Sequence, residues 1–422
     1  MCGVVLSRAK MPFAARDLTL QFNEAELGDK YGPDLVVGIF DKKTDAFCGG
    51  FAGDNTSLCG QDTPIWNGGI RDVSNPQWFQ ALSMWQLHRL FFDLARPMTL
   101  KQYWCYPREW SLPHPRWTGG KGMMVRQGFS GSKEDFIAEW TEAMSRFELK
   151  DGRRLLGDAF IGGADAGMNE NDLALICKVN GSNRCVTGGP GYYQYEKEGI
   201  TGRIMVHVAR MVAQAKGLRW DENLRVGIWG FGNVGRGVAM WLARDEYSGP
   251  RLVAVSDLKK GEAMGVYADK GYDPKEWLAA AKSPSGIFSL PSSSYVAGEE
   301  CHTGLDIVFL GLAREAAIDS LRAPLVNAKM VISGTNSGIT LDAYKILERN
   351  RVLAPPDFMV NIGAAATAKW SWHGCSDELA VALAVAATEV NLRWLMSAHL
   401  VQGGSMHKIA REEVFRELVP RK

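Results

Sequence analysis

A chain of 422 residues, 46% hydrophobic and 23% charged, has the composition of a soluble globular protein with two or three domains. Its 48 basic and 47 acidic residues leave a net charge of +1, which argues against a strongly basic nucleic-acid binder and against an acidic solvating chain. No apolar run approaches the ~18 residues of a membrane-spanning helix, and the opening MCGVVLSRAKMPFAARD is too short in apolar residues for a secretory signal. Neither a membrane nor a nucleic acid is therefore expected as partner, and a cytoplasmic location is expected. The eight cysteines form no CxxC pair and no Cys/His zinc spacing, so reduced thiols and no metal are expected. Two counts stand out. Glycine is 46 of 422, about 11% against a typical ~7%. Six of the 14 tryptophans lie between Trp66 and Trp117.

In chain order, Leu35–Phe40 is an apolar run that predicts a strand. Residues 132–148 carry apolar side chains at 136, 137, 140, 144 and 147, one face of a helix, with Ser132 placed to cap it three residues before Asp135. Residues 204–215 predict a helix, 224–229 a strand, 234–245 a helix and 252–255 a strand. Further strands are expected at 307–310 and 330–332. Strands alternating with helices imply βαβ units and a parallel sheet. Residues 378–400 predict a long helix whose broad apolar surface implies burial on more than one side.

The strand Arg225–Trp229 runs into Gly230-Phe231-Gly232-Asn233-Val234-Gly235. This GxGxxG between a strand and a helix is the setting in which the motif binds a dinucleotide. Gly230 permits the tight turn, Gly232 the approach of a pyrophosphate, and Gly235 close helix–strand packing. The helix N-terminus offers free N–H groups and a positive dipole to the phosphates. Asp257, 22 residues past Gly235, stands where a carboxylate holds the ribose 2′-hydroxyl and repels a 2′-phosphate. That favours NAD, with NADP left open by Lys259 and Lys260 beyond it.

Four further segments are chemically marked. They are Asn67-Gly68-Gly69-Ile70-Arg71, Met98-Thr99-Leu100-Lys101, Gly119-Gly120-Lys121-Gly122 and Gly162-Gly163-Ala164-Asp165-Ala166-Gly167. With Thr201-Gly202-Arg203 and the GFGNVG turn, their order and spacing from about residue 34 to 372 resemble the glutamate/leucine/phenylalanine/valine dehydrogenase superfamily. The resemblance implies a two-domain α/β fold. A substrate and oligomerisation domain covers residues 1–200, a Rossmann-type domain 201–355, and C-terminal helices 356–422 return to the first domain. Substrate is then expected between the domains. It implies NAD(P)-dependent, reversible oxidative deamination of an L-amino acid to a 2-oxo acid and ammonia by a homo-oligomer. Lys101 resembles the lysine that grips the substrate α-carboxylate, Lys121 the catalytic lysine that polarises the carbonyl and activates water, and Asp165 the aspartate that moves protons to and from nitrogen. Positive surroundings favour a neutral lysine, and a carboxylate beside it serves as general acid and base. Thr201 matches a cofactor-binding position. Asn336, in Ser333–Gly338, resembles an asparagine near nicotinamide and substrate, and Asn361 also matches.

The glutamate-specific members place a lysine where this chain has Asn67, and a serine where it has Ala368. A buried second carboxylate without either partner is costly, so glutamate is disfavoured. Gly163, Ala365 and Ala368 leave room for a neutral, bulky or aromatic side chain, nearer the leucine/phenylalanine-type members. The interval from Lys101 to Lys121 is longer than the family pattern and carries Trp104, Tyr106, Trp110, His114 and Trp117. It reads equally as a lid or specificity element and as a subunit contact or packed surface. The turn at Asp306–Ala313 lacks the family's proline. The motif glycines read as backbone cleared for the dinucleotide and a small substrate.

Two other classes stay open. One is a divergent oxidoreductase of specialised metabolism, using the same lysine and aspartate on an unusual amine, imine or oxo acid. The other is a non-catalytic nucleotide-binding relative. Met1-Cys2-Gly3 also resembles the start of an N-terminal cysteine amidotransferase, with nothing downstream to match. The seven histidines have no metal-ligand spacing.

Overall fold

The computed structural model describes residues 13–19, 34–54, 65–73, 95–108, 117–126, 129–165, 167–195, 197–259, 262–290, 294–297, 304–312 and 316–418. Cys2, Cys59, Cys301, His88, His114, His302, Trp110 and Lys260 lie outside them. The chain divides into two compact units. One comprises Met1–Thr99 and Pro115–Tyr193, the other Leu100–His114 and Gln194–Lys422. Leu100–His114, from the N-terminal half, thus groups with the C-terminal helices.

The first unit is built on a six-stranded mixed sheet of β1 (Phe13–Asp17), β2 (Leu35–Asp41), β3 (Phe47–Gly53), β4 (Trp66–Asp72), β5 (Thr118–Met124) and β6 (Phe160–Ala164), in the order β1-β2-β3-β5-β4-β6. β1, β2, β3 and β5 pair antiparallel, while β4 runs parallel to both β5 and β6. The apolar run expected as a strand is β2. Helix α1 (Lys133–Arg146) has the expected cap: Ser132 accepts from the Asp135 amide, and Asp135 reaches back to the Ser132 backbone. Its buried Phe136, Ile137, Trp140 and Met144 join Phe13, Ile39, Phe51 and Ile70 in one core. Each such side chain contributes roughly 1.5–3 kcal/mol of burial. Helix α2 (Glu170–Asn180) packs on α1, and Asn169 caps it by accepting from the Asn171 and Asp172 amides.

The second unit holds α3 (Ile200–Ala215), β7 (Arg225–Trp229), α4 (Asn233–Leu242), β8 (Arg251–Lys259), β9 (Glu262–Tyr272), α5 (Pro274–Ala280), β10 (Ser294–Ala297), β11 (Ile307–Leu310) and β12 (Met330–Ser333). Helices α6 (Leu341–Arg349), α7 (Asp357–Val360), α8 (Gly363–Trp372), α9 (Asp377–Gln402) and α10 (Met406–Leu418) follow. The sheet order is β10-β9-β8-β7-β11-β12. β8, β7, β11 and β12 are parallel, as the alternation of strands and helices implied. β9 and β10 are antiparallel and correct that expectation at the edge. Lys259 pairs with Glu262, so β8 turns straight back as a hairpin. A parallel return would need a crossover of a dozen or more residues.

Helix α9 is 26 residues long and is apolar enough to cross a membrane by length and composition alone. Its buried positions, Ala380, Ala384, Ala387, Thr388, Asn391, Leu392, Leu395 and Ala398, form a single stripe at helical spacing. The expectation of burial on more than one side is corrected: Leu379, Leu400 and Val401 are exposed. The stripe packs on α8 and α3.

The described part of the aromatic interval is packed interior. Residues 95–104 are helical, and Trp104 and Tyr106 are buried. Asn391 of α9 donates to the carbonyls of Trp104 and Tyr106, both at 2.9 Å, and accepts from the Arg108 amide at 3.0 Å. Arg108 pairs with Glu413 at 2.6 Å and lies over the Trp394 ring. Tyr106 meets the Trp370 ring edge-on, with Lys369 over its own face at 4.4 Å. Trp117, at the other end of the interval, is buried in the first unit.

Candidate active site

In the first unit, adjoining strands bring the marked residues together. β5 carries Lys121, β4 carries Asn67, Gly68, Gly69 and Arg71, and Gly163 lies on β6, with Asp165 one residue past its end. The Lys121 ammonium forms an ion pair with Asp165 Oδ2, and the Lys121 side chain is 1% exposed. Arg71 Nε donates to the same oxygen at 3.3 Å. Sequence reasoning quoted Arg71 within its motif and gave it no role. Its signal was a cation on the strand face it shares with Asn67 and Gly69, opposite the apolar face of Trp66 and Ile70. Asn67 is 4% exposed. Its Nδ2 donates to the Ile161 carbonyl at 2.8 Å.

On the side where a Cβ would stand, four glycines of the marked motifs are filled by protein. A Cβ on Gly68 would lie 1.7 Å from the Gly120 carbonyl oxygen, and one on Gly119 2.2 Å from that of Ala95. One on Gly69 would meet the Asp165 Cβ at 2.6 Å, and one on Gly162 the Ile70 Cδ1 at 2.4 Å. Real carbon atoms do not approach so closely, so these positions are glycine because neighbouring strands and side chains fill them.

The fingerprint turn of the second unit behaves differently. Gly230 has φ +90°, which a side chain rarely adopts. A Cβ on Gly235 would strike the Gly230 carbonyl at 2.0 Å, so strand and helix touch there. A Cβ on Gly232 would meet nothing within 4 Å. Gly232 and Asn233 are exposed at the start of α4, Val234 is half-buried and Phe231 is buried. Tight turn, open approach and close packing fall on the three glycines in the order a dinucleotide pyrophosphate requires. Asp257 is half-buried on β8, two residues before the strand ends, so the strand runs past the expected 252–255 and takes it in. Thr201 lies in the first turn of α3, where Gly202 packs against Gly237 of α4.

Elsewhere in this unit, Asn361 Nδ2 donates to Asn336 Oδ1 at 2.8 Å and to the Gly334 carbonyl at 3.2 Å, so these two predicted residues meet. Ser337 beside them has φ +52°, in the left-handed region. Ala365 and Ala368 lie on α8, Ala368 buried. Lys101 is buried, and burial brings its ammonium down to about 8, with Cys105 and Asp357 pulling the other way. Burial pushes Asp357 up to about 6, opposed by the Phe358 amide, by Lys101 and by the amides of Ser337 and Gly338. Asp357 thus links the Lys101 neighbourhood to the loop that carries Asn336. Among the described residues no group of three or more His, Cys, Asp or Glu side chains is arranged to hold a metal, and Cys48, Cys105, Cys177, Cys185 and Cys375 are free thiols.

Residues 192–393 match the family model described as Glutamate/Leucine/Phenylalanine/Valine dehydrogenase. This region belongs to that superfamily. The NADP-specific glutamate dehydrogenase of Saccharolobus shibatae is 31% identical over 185 residues, 44% of this chain and 41% of that protein. The NAD-specific glutamate dehydrogenase of Peptoniphilus asaccharolyticus is 25% identical over 265 residues, 60% of this chain and 61% of that protein. The chain thus matches only about two fifths of the length of the first of these curated relatives. Among solved structures, the hetero-hexameric glutamate dehydrogenase of Thermus thermophilus superposes with a TM-score of 0.70 at 21% identity, covering 96% of this chain and 88% of that one. The L-tryptophan dehydrogenase of Nostoc punctiforme does so with 0.58 at 17%, covering 91% and 92%. These likenesses show a two-domain α/β fold over nearly the whole chain.

Proposed function

We propose that the protein is an NAD(P)-dependent amino acid dehydrogenase, carrying out reversible oxidative deamination of an L-amino acid to a 2-oxo acid and ammonia. The observation that carries this reading is the Lys121–Asp165 ion pair on adjoining strands, in a chain whose second unit has an open Gly232 at the fingerprint turn. The nicotinamide, when bound, supplies the hydride chemistry. Gly232 and the start of α4 would hold the pyrophosphate, on a turn shaped by Gly230 and Gly235, and Asp257 the ribose. Lys101 holds the substrate α-carboxylate as a charged ammonium. Lys121 polarises the carbonyl as a charged ammonium in one direction and activates water, once it has given up its proton, in the other. Asp165 takes and returns the proton at the amino nitrogen. The first unit thus carries the proton chemistry and the second the dinucleotide.

The substrate we favour has a neutral, bulky or aromatic side chain and is not glutamate, although the sequence relatives named above are glutamate dehydrogenases. Support comes from Asn67, whose amide is engaged by Ile161, and from the small Ala368. Leaving a substrate carboxylate without a cation in a buried site costs several kcal/mol. A cytoplasmic homo-oligomer is part of the same reading. The test is a spectrophotometric screen of amino acids with NAD and NADP. Turnover of neutral amino acids with little on glutamate is expected. Robust glutamate activity overturns the substrate assignment. Turnover of an unusual amine or oxo acid alone points to the divergent oxidoreductase, and dinucleotide binding without turnover to a non-catalytic relative.

A further inference from the structure

The geometry points to Arg71 as a positioning residue that holds Asp165 ionised and Lys121 ready to lose its proton. The inference rests on the roles just proposed for those two residues. Arg71 stands on β4, between the strand that bears Lys121 and the one that leads into Asp165. Its Nε lies 3.3 Å from Asp165 Oδ2, the same oxygen that receives Lys121, and its side chain is 10% exposed. Two cations therefore share one carboxylate oxygen in a poorly solvated spot. The next charges along the sheet, Asp72 and Arg126, are paired with each other at 2.9 Å.

The three groups are not equivalent. A guanidinium keeps its charge at every accessible pH, whereas an ammonium and a carboxylate both titrate. The fixed charge attracts the carboxylate anion and repels the neighbouring ammonium. A lysine beside an aspartate alone is held in its charged form, which cannot act as a base. Arg71 offsets that pull. When Lys121 gives up its proton, Asp165 keeps a counter-ion and remains an acceptor for the next one. The orientation matters as well, because the Arg71 contact pins one carboxylate oxygen as the amine-bearing carbon changes geometry.

The test uses the full chain with Arg71→Gln and Arg71→Lys. Thermal unfolding and fluorescence binding of the reduced dinucleotide are measured first, to establish that each variant folds and takes cofactor. The readout is the pH profile of kcat for the best amino acid of the screen. Arg71→Gln is expected to move the acid limb to higher pH by about one unit or more. Arg71→Lys, which keeps a cation, should recover at least half of that movement. A second arm needs no turnover: the pH dependence of Lys121 acetylation by acetic anhydride, quantified by mass spectrometry, should move in the same direction. If Arg71→Gln lowers the rate by one factor at every pH and leaves the labelling curve in place, Arg71 is merely structural and the inference is overturned. If the wild type turns over no amino acid, the functional reading fails by itself, and the labelling arm still decides the role of Arg71. Should Arg71→Gln not fold, the Arg71→Lys curves decide: a cation set at a different distance should displace both, and unmoved curves with a uniformly lowered rate overturn the inference.

Discussion

Glycine means different things in the two units. In the first, Gly68, Gly69, Gly119 and Gly162 are places where neighbouring strands and side chains come too close for any Cβ. In the second, Gly232 faces open space while Gly230 and Gly235 meet their neighbours. The same residue type, in motifs that read alike, thus closes one sheet and faces open space beside the other. A glycine motif indicates that something comes near the backbone. Only the three-dimensional neighbours show whether that something is protein or ligand.

The largest expected effect concerns chemistry alone. Lys121→Ala should lower kcat by about 10²–10⁴-fold while the reduced dinucleotide still binds, as fluorescence titration will show. Retained turnover would remove the first unit from the reaction. The glycine contrast itself is tested by a pair of alanines. Gly68→Ala should cost about 3 kcal/mol of stability by overpacking, seen in chemical denaturation. Gly232→Ala should leave stability within about 0.5 kcal/mol and weaken dinucleotide binding by roughly tenfold or more, about 1.4 kcal/mol. Equal losses of stability in both would erase the distinction. For Lys101, brought down to about 8 by burial, the grip on a carboxylate needs the protonated form. The KM for amino acid should therefore be flat below that pH and rise about tenfold per unit above it. In Lys101→Met the KM should be high and insensitive to pH across this range. The smallest expected effect is at the aromatic interval. Asn391→Ala removes three hydrogen bonds to residues 104–108 and should cost about 2 kcal/mol. It should leave the kcat ratio between substrates unchanged if that segment is purely packed interior.

Much of the local structure was legible. β11 lies at the residues its apolar run indicated, and the Ser132 cap forms as its spacing to Asp135 implied. Helix α3 begins at Ile200, four residues before the apolar pattern, and so takes in Thr201, Gly202 and Arg203. Its start is set by Gly199 in the left-handed conformation, which periodicity does not report. The β8–β9 hairpin was missed because alternating strands and helices implied a parallel return after β8. The packing of Trp104 and Tyr106 was left open because their partners Asn391, Trp394 and Trp370 lie far along the chain.

The candidate site divides in the same way. Lys121 and Asp165 were identifiable by residue type and motif order, and so was Gly232. Arg71 was in plain view beside Gly69, yet its partner is 94 positions away. The sequence by itself determined what depends on neighbours a few positions apart: helix caps, apolar faces, the strand–turn–helix of the fingerprint, and the kinds of side chain offered for proton transfer. Only the tertiary structure decided which of those side chains share an oxygen, which glycines are filled, and which one stays open. The physical reason is register. Contacts between strands depend on how each is aligned with the next, and a shift of one residue turns every side chain to the other face.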